Sequence, residues 1–178
     1  MTELEIIKGC IKQQASCQRM LYEQYAGKLM AVCLRYAKDP MEAEDMLQDA
    51  FVRIFNYINQ FKFEGSFEGW MRRITVNVAL KYIQKKKLAF SEVNEQKDST
   101  AQIPPTAYSQ LGEEVLMQLI QQLPTGYRIV FNLNVIEGYS HEEIATLLNI
   151  KASTSRSQLV KARKILQEQI LQLQKIAV

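Results

Sequence analysis

The sequence predicts an all-α protein with two small helical domains joined by a flexible linker, the C-terminal domain containing a helix-turn-helix. Only 7 glycines and 4 prolines occur among 178 residues, so the turns that many short strands need are scarce. Apolar residues recur at intervals of three and four over long stretches, as on one face of a helix. A polar stretch with Pro104-Pro105 interrupts this pattern, because prolines do not continue a helix. We therefore expect domains at 1–88 and 111–178, with the linker at 89–110.

Local start signals support individual helices. Thr2 with Glu5 and Ser140 with Glu143 are capping-box patterns, and Ser16 is expected to cap a second helix. Asp39 can cap the next helix, since the proline that follows it fits a first turn. The helices are expected at about 16–37, 40–58, 70–87, 112–122 and 125–136, followed by a short helix from 140 and a long one from 153.

Two stretches carry most of the positive charge, although the net charge is only +3. From Trp70 to Leu88, and again from Lys151 to Lys164, every charged residue is Lys or Arg. Solvated helix faces are the alternative explanation, but such faces usually mix both signs. The two stretches therefore favour two separate contacts with a polyanion.

Several function classes find no support in the sequence. Cys10, Cys17 and Cys33 lack CxxC spacing, and the only histidine, His141, lies far from them, so we expect buried, reduced thiols and no metal site. Phosphate-binding glycine loops and Ser-His-Asp sets are missing, so we expect no enzyme, no cofactor and no small-molecule substrate. No apolar run could span a bilayer and the N-terminus is acidic, which favours a cytoplasmic protein without membrane insertion.

The last two predicted helices form a helix-turn-helix pattern, since a short turn at 149–151 precedes a basic second helix. The N-terminal end of such a second helix enters the major groove of DNA. Arg156 can contact guanine and Gln158 can contact adenine. Ser153 and Ser157 can bind phosphate near the helix N-terminus. A structural helical hairpin with a basic surface is the alternative, but short polar residues followed by basic ones favour DNA.

The C-terminal sequence contains four segments in a fixed order, namely Leu123-Pro124, Tyr127–Phe131, Ile136–Ala145 and Ser153–Ser157. In these segments and in their spacing it resembles the minus-thirty-five-reading domain of extracytoplasmic-function sigma factors. The resemblance implies that this domain reads the upstream promoter element. The predicted contacts are Ser153, Ser155, Arg156, Ser157, Lys161, Arg163 and Lys164.

The N-terminal sequence resembles the same family in two segments. Met41–Phe51 is similar to the segment that grips the coiled coil of the largest polymerase subunit, although by itself it would pass for an ordinary amphipathic surface helix. The predicted contacts with core polymerase are Asp45, Gln48, Asp49, Val52 and Arg53.

The second segment is Gly65–Trp70 with the helix that follows. It is similar to the family's loop and helix that open and recognise the minus-ten element and hold a flipped base. Aromatic side chains beside basic ones suit unstacked bases, although Phe67 and Trp70 are expected to lie in the core. Lys81 departs from the family, because many relatives carry Asp or Asn there. The predicted contacts are Asn59, Phe63, Arg72, Arg73, Asn77 and Lys81.

The resemblance implies a transcription initiation factor whose partners are core RNA polymerase and promoter DNA. A helix-turn-helix repressor or activator that binds duplex DNA alone is a second hypothesis, which leaves the first basic stretch unexplained. The resemblance also implies an anti-sigma factor as a partner. Docking of the two domains on each other is an alternative mechanism that could equally keep the protein inactive. Redox sensing by the cysteines is a further alternative mode of regulation.

Overall fold

The computed structural model describes residues 1–91 and 112–176, with side chains described to residue 85 in the first range and to residue 175 in the second. The chain divides into two compact units, Met1–Glu95 and Gln96–Val178. Both units are helical and the described residues contain no strand, which confirms the predicted fold class. Beyond Ser91, the predicted linker lies outside the described residues.

The described residues of the N-terminal unit, 1–91, form four α-helices and one short 3-10 turn. They are α1 (Glu3–Ile11), α2 (Ala15–Tyr36), α3 (Pro40–Tyr57), the 3-10 turn Ile58–Gln60 and α4 (Phe67–Ser91). Helices α2, α3 and α4 pack on one another, and α1 packs on α2. Their shared core contains fully buried Leu21, Leu29, Met46, Ile54, Ile58 and Met71.

The predicted helix starts are partly confirmed. Thr2 and Glu5 form the capping box of α1, and the Asp39 carboxylate accepts a hydrogen bond from the Glu42 N–H at 2.8 Å. Ser16 does not cap α2, which begins at Ala15 after Gln14. Helix α4 begins three residues before the predicted start at Trp70.

The cause of the early start of α4 is a local hydrogen bond. The Gly69 N–H donates to the Ser66 hydroxyl at 3.1 Å, which satisfies one of the free amide groups at the helix N-terminus. The aromatic pair Phe67 and Trp70 therefore lies on the first turn of α4 rather than in the preceding loop.

The C-terminal unit contains α5 (Glu113–Gln121), α6 (Thr125–Phe131), α7 (His141–Leu148) and α8 (Ala152–Ile176). Helix α6 continues into a π-helical turn, Asn132–Ile136, so the predicted helix at 125–136 is present but its last turn is wider than an α-helix. One core cluster joins α5 to α8 through Leu119, Ile120, Leu123, Ala162 and Leu166.

Within the described residues, no helix has the length and apolar character needed to cross a membrane.

All three cysteines are free and buried in the N-terminal unit. Burial raises the pKa of the Cys33 thiol to about 12. Burial also raises the pKa of the Cys10 thiol to about 11, with a smaller contribution from Cys17. Since the thiolate is the reactive form, these two thiols are protected from chemical modification in two ways: they are buried, and they stay protonated.

We expect iodoacetamide at pH 8 to modify Cys33 and Cys10 slowly in the folded protein. Compared with the ordinary value of 9.0, the raised pKa values reduce the thiolate fraction by about 1000-fold for Cys33 and about 100-fold for Cys10. Peptide mass spectrometry of protein alkylated with and without urea measures each rate. Equal rates for Cys33 in both conditions would contradict the burial described here.

Gly9 and Gly27 provide a matched test of packing between α1 and α2. A Cβ atom at Gly9 would lie 2.2 Å from the Cys17 Sγ and 2.8 Å from the Cys17 Cβ, whereas a Cβ at Gly27 has nothing within 4 Å. We expect Gly9→Ala to destabilise the protein by about 1–3 kcal/mol through overpacking. Gly27→Ala should stabilise it by about 0.5–1 kcal/mol, because alanine is the better helix former. Urea unfolding of the two variants measures both changes in the free energy of unfolding, and a Gly9→Ala variant at least as stable as the wild type would contradict the close contact with Cys17.

Candidate nucleic-acid interface

Helices α7 and α8 form the helix-turn-helix. The Ser140 hydroxyl accepts from the Glu143 N–H, and the Glu143 carboxylate accepts from the Ser140 N–H, which completes the predicted capping box of α7. The helix ends at Asn149, whose φ of 53° lies in the left-handed region that asparagine tolerates. The Ile150 N–H then donates to the Ala145 carbonyl at 3.0 Å. This closure gives a turn of three residues before α8 begins.

The first half of α8 separates its buried side chains from its exposed ones. Leu159, Ala162 and Leu166 are buried, while most predicted contacts lie on the surface. The exposed residues among those predicted are Ser153, Arg156, Ser157, Lys161, Arg163 and Lys164. Helical spacing puts 153, 156, 157 and 164 on the side opposite the core. The structure thus gathers six of the seven predicted residues on the exposed part of α8.

Ser155 is the exception, and its predicted contact with DNA is wrong for this structure. The residue is fully buried, and its hydroxyl lies 2.8 Å from Nδ1 of His141 on α7. Ser155 shares the side of α8 that packs into the core, because it precedes Leu159 by four residues. The hydroxyl therefore links the two helices instead of facing solvent.

Two more side chains modify the sequence prediction for α8. Gln158 is half-buried and faces α6, since a Cβ at Gly126 would lie 3.6 Å from its amide nitrogen. Val160, which the sequence analysis overlooked, is 66% exposed and lies on the same side as Arg156 and Ser157. The sequence contained a signal for this position, because Val160 follows Arg156 by four residues and Ser157 by three and so shares their side of the helix. Such a side chain suits the methyl group of thymine.

The second candidate surface lies at the start of α4 and the loop before it. Asn59, Arg73, Asn77 and Lys81 are exposed, and the last three follow one another at intervals of four, on one side of the helix. Arg72 is half-buried and already has an interaction partner. Five of the six predicted residues are therefore exposed, once Phe63 of the loop is included.

An aromatic cluster supports this loop. The Phe61 ring lies 5.0 Å from the rings of both Phe63 and Phe67, and 5.6 Å from that of Trp70. Phe67 is buried, as expected, whereas Trp70 is only half-buried. Phe63 is 50% exposed and has a φ of 57°, an uncommon conformation for a bulky residue. The cluster holds the base of the loop and leaves one ring at the surface.

An ion pair fixes the start of α4 on α2. Lys28 Nζ lies 2.6 Å from the Glu68 carboxylate and 5.6 Å from the centre of the Tyr25 ring. The Tyr25 hydroxyl in turn donates to the Glu3 carboxylate of α1, and burial followed by this bond raises the pKa of Tyr25. The first turn of α4 is therefore joined to α2, and α2 in turn is joined to α1.

The exposed side of α3 contains the residues predicted to contact polymerase. Val52 is 59% exposed, and Asp45, Gln48, Asp49 and Arg53 are exposed beside it. Met41, one turn before Asp45, is 74% exposed and extends the apolar part of this side. The Tyr82 hydroxyl donates to the Asp45 carboxylate at 3.4 Å, so the surface is tied to α4.

Comparison with known proteins shows the family of both units. Residues 21–88 match the family model of sigma-70 region 2, and residues 113–166 match that of sigma-70 region 4. The ECF RNA polymerase sigma factor SigW of Bacillus subtilis is 32% identical over 161 residues, which cover 84% of this chain and 86% of SigW. The chain belongs to the extracytoplasmic-function (ECF) sigma factors of the sigma-70 family.

Other sigma-factor relatives agree with this assignment. The sigma-H factor of Pseudomonas aeruginosa is 28% identical, with 82% of this chain and 81% of that protein covered. SigE of Mycolicibacterium smegmatis is 30% identical over 83% of this chain, which spans only 59% of that relative. Members of the family are transcription initiation factors that direct RNA polymerase to promoters, and this ECF sigma factor contains both matched regions.

Solved structures support the helical fold. RpoE of Bartonella quintana, solved with the anti-sigma factor NepR, gives a TM-score of 0.57 at 20% identity, covering 88% of this ECF sigma factor and 96% of that chain. CnrH, solved with the cytosolic domain of CnrY, gives 0.50 at 18% identity, covering 93% and 94%.

The bond between Ser155 and His141 should stabilise the helix-turn-helix of this ECF sigma factor. We expect Ser155→Ala to lower local stability by about 1–2 kcal/mol, because a hydrogen bond to a buried group is lost. Ser157→Ala, an exposed change two residues away, should stay within about 0.5 kcal/mol. Hydrogen exchange of α7 and α8 peptides in the full chain measures the difference. Equal protection from hydrogen exchange in the two variants would show that the Ser155–His141 hydrogen bond does not stabilise the helix-turn-helix.

Proposed function

We propose that this sigma factor recognises a promoter at two places, with residues 1–88 acting on the minus-ten element and residues 111–178 acting on the minus-thirty-five element. Residues 89–110 would connect the two activities. The observation that carries the proposal is the exposed side of α8, which presents basic and short polar side chains opposite a buried apolar row. Region matches at 21–88 and 113–166 agree with this division.

The upstream element is read by the first turns of α8. Arg156 contacts a guanine in the major groove, since its planar fork matches the two acceptors of that base. Ser153 and Ser157 bind phosphate near the helix N-terminus. Lys161, Arg163 and Lys164 follow one to two turns later and neutralise backbone phosphates. Val160 contacts a thymine methyl, and Ser155 holds the helix in place.

The minus-ten element is opened and read by the N-terminal unit. The exposed Phe63 ring stacks on an unpaired base, while Asn59 contributes hydrogen bonds beside it. Arg73, Asn77 and Lys81 form a row on α4 that follows the single strand. Arg72 adds positive charge at the start of the same helix.

Core RNA polymerase binds the exposed side of α3. Asp45 and Asp49 pair with basic side chains of the partner, and Gln48 and Arg53 add hydrogen bonds. Val52, with Met41 about three turns earlier, supplies the apolar contact that a stable interface needs at its centre. Asp45 is already oriented by Tyr82, which reduces the entropic cost of this contact.

Two further parts of the proposal concern the cell. The protein acts in the cytoplasm, where core polymerase and the chromosome are found, and its thiols stay reduced there. It is held inactive by an anti-sigma factor; support comes from RpoE of Bartonella quintana, which shares the fold and was solved in complex with the anti-sigma factor NepR. It has no catalytic activity of its own.

Run-off transcription with bacterial core RNA polymerase tests the proposed function. Adding the protein should produce initiation at defined start sites on a genomic promoter library, whereas the core enzyme alone should not. A repressor or activator that works alone would instead bind specific duplex DNA tightly without polymerase. That second result, together with no promoter-dependent transcript, would overturn the proposal.

Matched variants separate the two promoter contacts. Arg156→Ala should reduce initiation at promoters that depend on the upstream element by roughly 5- to 150-fold, the effect of losing a bidentate base contact of about 1–3 kcal/mol. Lys175→Ala removes the same charge from the exposed last turn of α8 and should have little effect. Asn77→Ala should reduce promoter opening, measured by permanganate footprinting, without altering the preferred upstream sequence. An equal loss for Arg156→Ala and Lys175→Ala would indicate a general charge effect.

A further inference from the structure

Two bonds join the first turn of α7 to the first turns of α8. His141 meets Ser155 at 2.8 Å, and the next residues along each helix, Glu142 and Arg156, form an ion pair at 3.3 Å. The first bond involves a buried hydroxyl, whereas the second lies at the surface, where the Arg156 and Glu142 side chains are 55% and 72% exposed. The buried His141–Ser155 bond holds the two helices together. The exposed Glu142–Arg156 ion pair therefore connects two side chains whose backbones already have fixed positions.

We propose that Glu142 is a positioning residue for base selection: its carboxylate orients the Arg156 guanidinium toward the guanine that this residue reads. The inference rests on the proposed function of α8 and adds a determinant of specificity outside that helix. Glu142 has no other assigned role in DNA recognition, and it lies on the helix that precedes the one entering the groove.

The chemistry of arginine explains why such a residue is useful. A free arginine side chain has many rotamers, so ordering it on a base costs conformational entropy. The Glu142 carboxylate accepts from Nη1 of Arg156. A guanidinium has five N–H donors in a fixed plane, and one bond to Glu142 leaves enough of them for the two acceptors of guanine. The ion pair therefore restricts the orientation of the guanidinium plane and leaves N–H groups of Arg156 free to contact the guanine.

The position of Glu142 is itself well determined. It follows His141 on α7, whose N-terminus is closed by the Ser140–Glu143 capping box. The positive end of the helix dipole favours a carboxylate in this first turn. Asn149 and the Ile150–Ala145 hydrogen bond fix the following turn, so the distance between Glu142 and Arg156 depends on a short and ordered piece of chain.

The ion pair has opposite effects on affinity and selectivity. A carboxylate beside the DNA backbone repels phosphate and reduces binding to any sequence. An exposed ion pair also contributes little to folding stability. Removing the charge should therefore increase non-specific DNA binding and reduce discrimination between bases, while the melting temperature falls only slightly because the favourable helix-dipole interaction is lost. A residue with a merely structural role would instead weaken binding to every DNA sequence, which separates the two explanations.

The test uses the full chain with bacterial core RNA polymerase and a promoter library in which the upstream element is randomised. Sequencing the transcripts gives the base preference at each position, and Arg156→Ala identifies the position that Arg156 reads. Glu142→Gln should reduce the preference for guanine at that position by about 3- to 10-fold, while preferences elsewhere stay the same. Binding to non-promoter duplex DNA, measured by fluorescence anisotropy at several salt concentrations, should become about 2- to 5-fold tighter.

Two controls make the result specific. Glu168→Gln removes the same charge from an exposed site in the second half of α8 and should leave base preference unaltered. In the Arg156→Ala background, Glu142→Gln should have no further effect on base preference, because the carboxylate acts through the guanidinium. Circular dichroism melting of each variant confirms that it is folded.

The outcomes distinguish this inference from the proposed function. A wild-type protein that gives no promoter-dependent transcript overturns both. Normal transcription with an Arg156→Ala effect, but unchanged selectivity in Glu142→Gln, overturns the positioning role alone. The role also fails if Arg156→Ala alters no base preference, or if Glu142→Gln reduces selectivity equally with and without Arg156.

Discussion

Burial of the apolar side of a helix determines which side chains its opposite side exposes to solvent. The candidate interfaces on α8 and α3 both depend on this constraint. On α8, Leu159 and Ala162 must face the core, so a rotation that exposed them would also remove Arg156 from the surface. Helix α3 shows the same relation, because Ala43 and Ala50 are completely buried against its neighbours and Gln48 is thereby directed outward. The free energy of core packing, which is proportional to the apolar area removed from water, therefore also orients the polar side chains that recognise DNA and polymerase.

Much of the fold could be predicted because its signals are local. The caps at Thr2, Asp39 and Ser140 need only residues three positions ahead, and the apolar stripes need only the helical repeat. The π-helical turn at Asn132–Ile136 was not foreseen, since a change from an α-helical to a wider turn alters which carbonyl each N–H reaches without altering composition. Ser16 looked like a cap, but α2 had already started at Ala15.

The candidate site was predicted in outline, and its misassigned residue shows where local reasoning ends. Ser155 has exposed polar neighbours, Arg156 and Ser157, and only its spacing of four residues from Leu159 indicates that it faces the core. Its partner is on the other helix, and only the angle between the two helices brings the pair together. The role of Glu142 could not be predicted for the same reason, because its partner Arg156 also lies on the other helix. The domain limits and the individual contacts with DNA and polymerase stay predictions.

The chain has one histidine and one tryptophan, and each lies in a different unit beside the surface assigned to DNA. His141 bridges the two helices of the helix-turn-helix, while Trp70 is half-buried against the aromatic rings that support Phe63. The imidazole resonances of the isolated protein therefore come from the C-terminal unit alone, and its indole fluorescence comes from the first turn of α4 alone. His141 and Trp70 therefore give the isolated protein two spectroscopic signals, each of which reports on one unit.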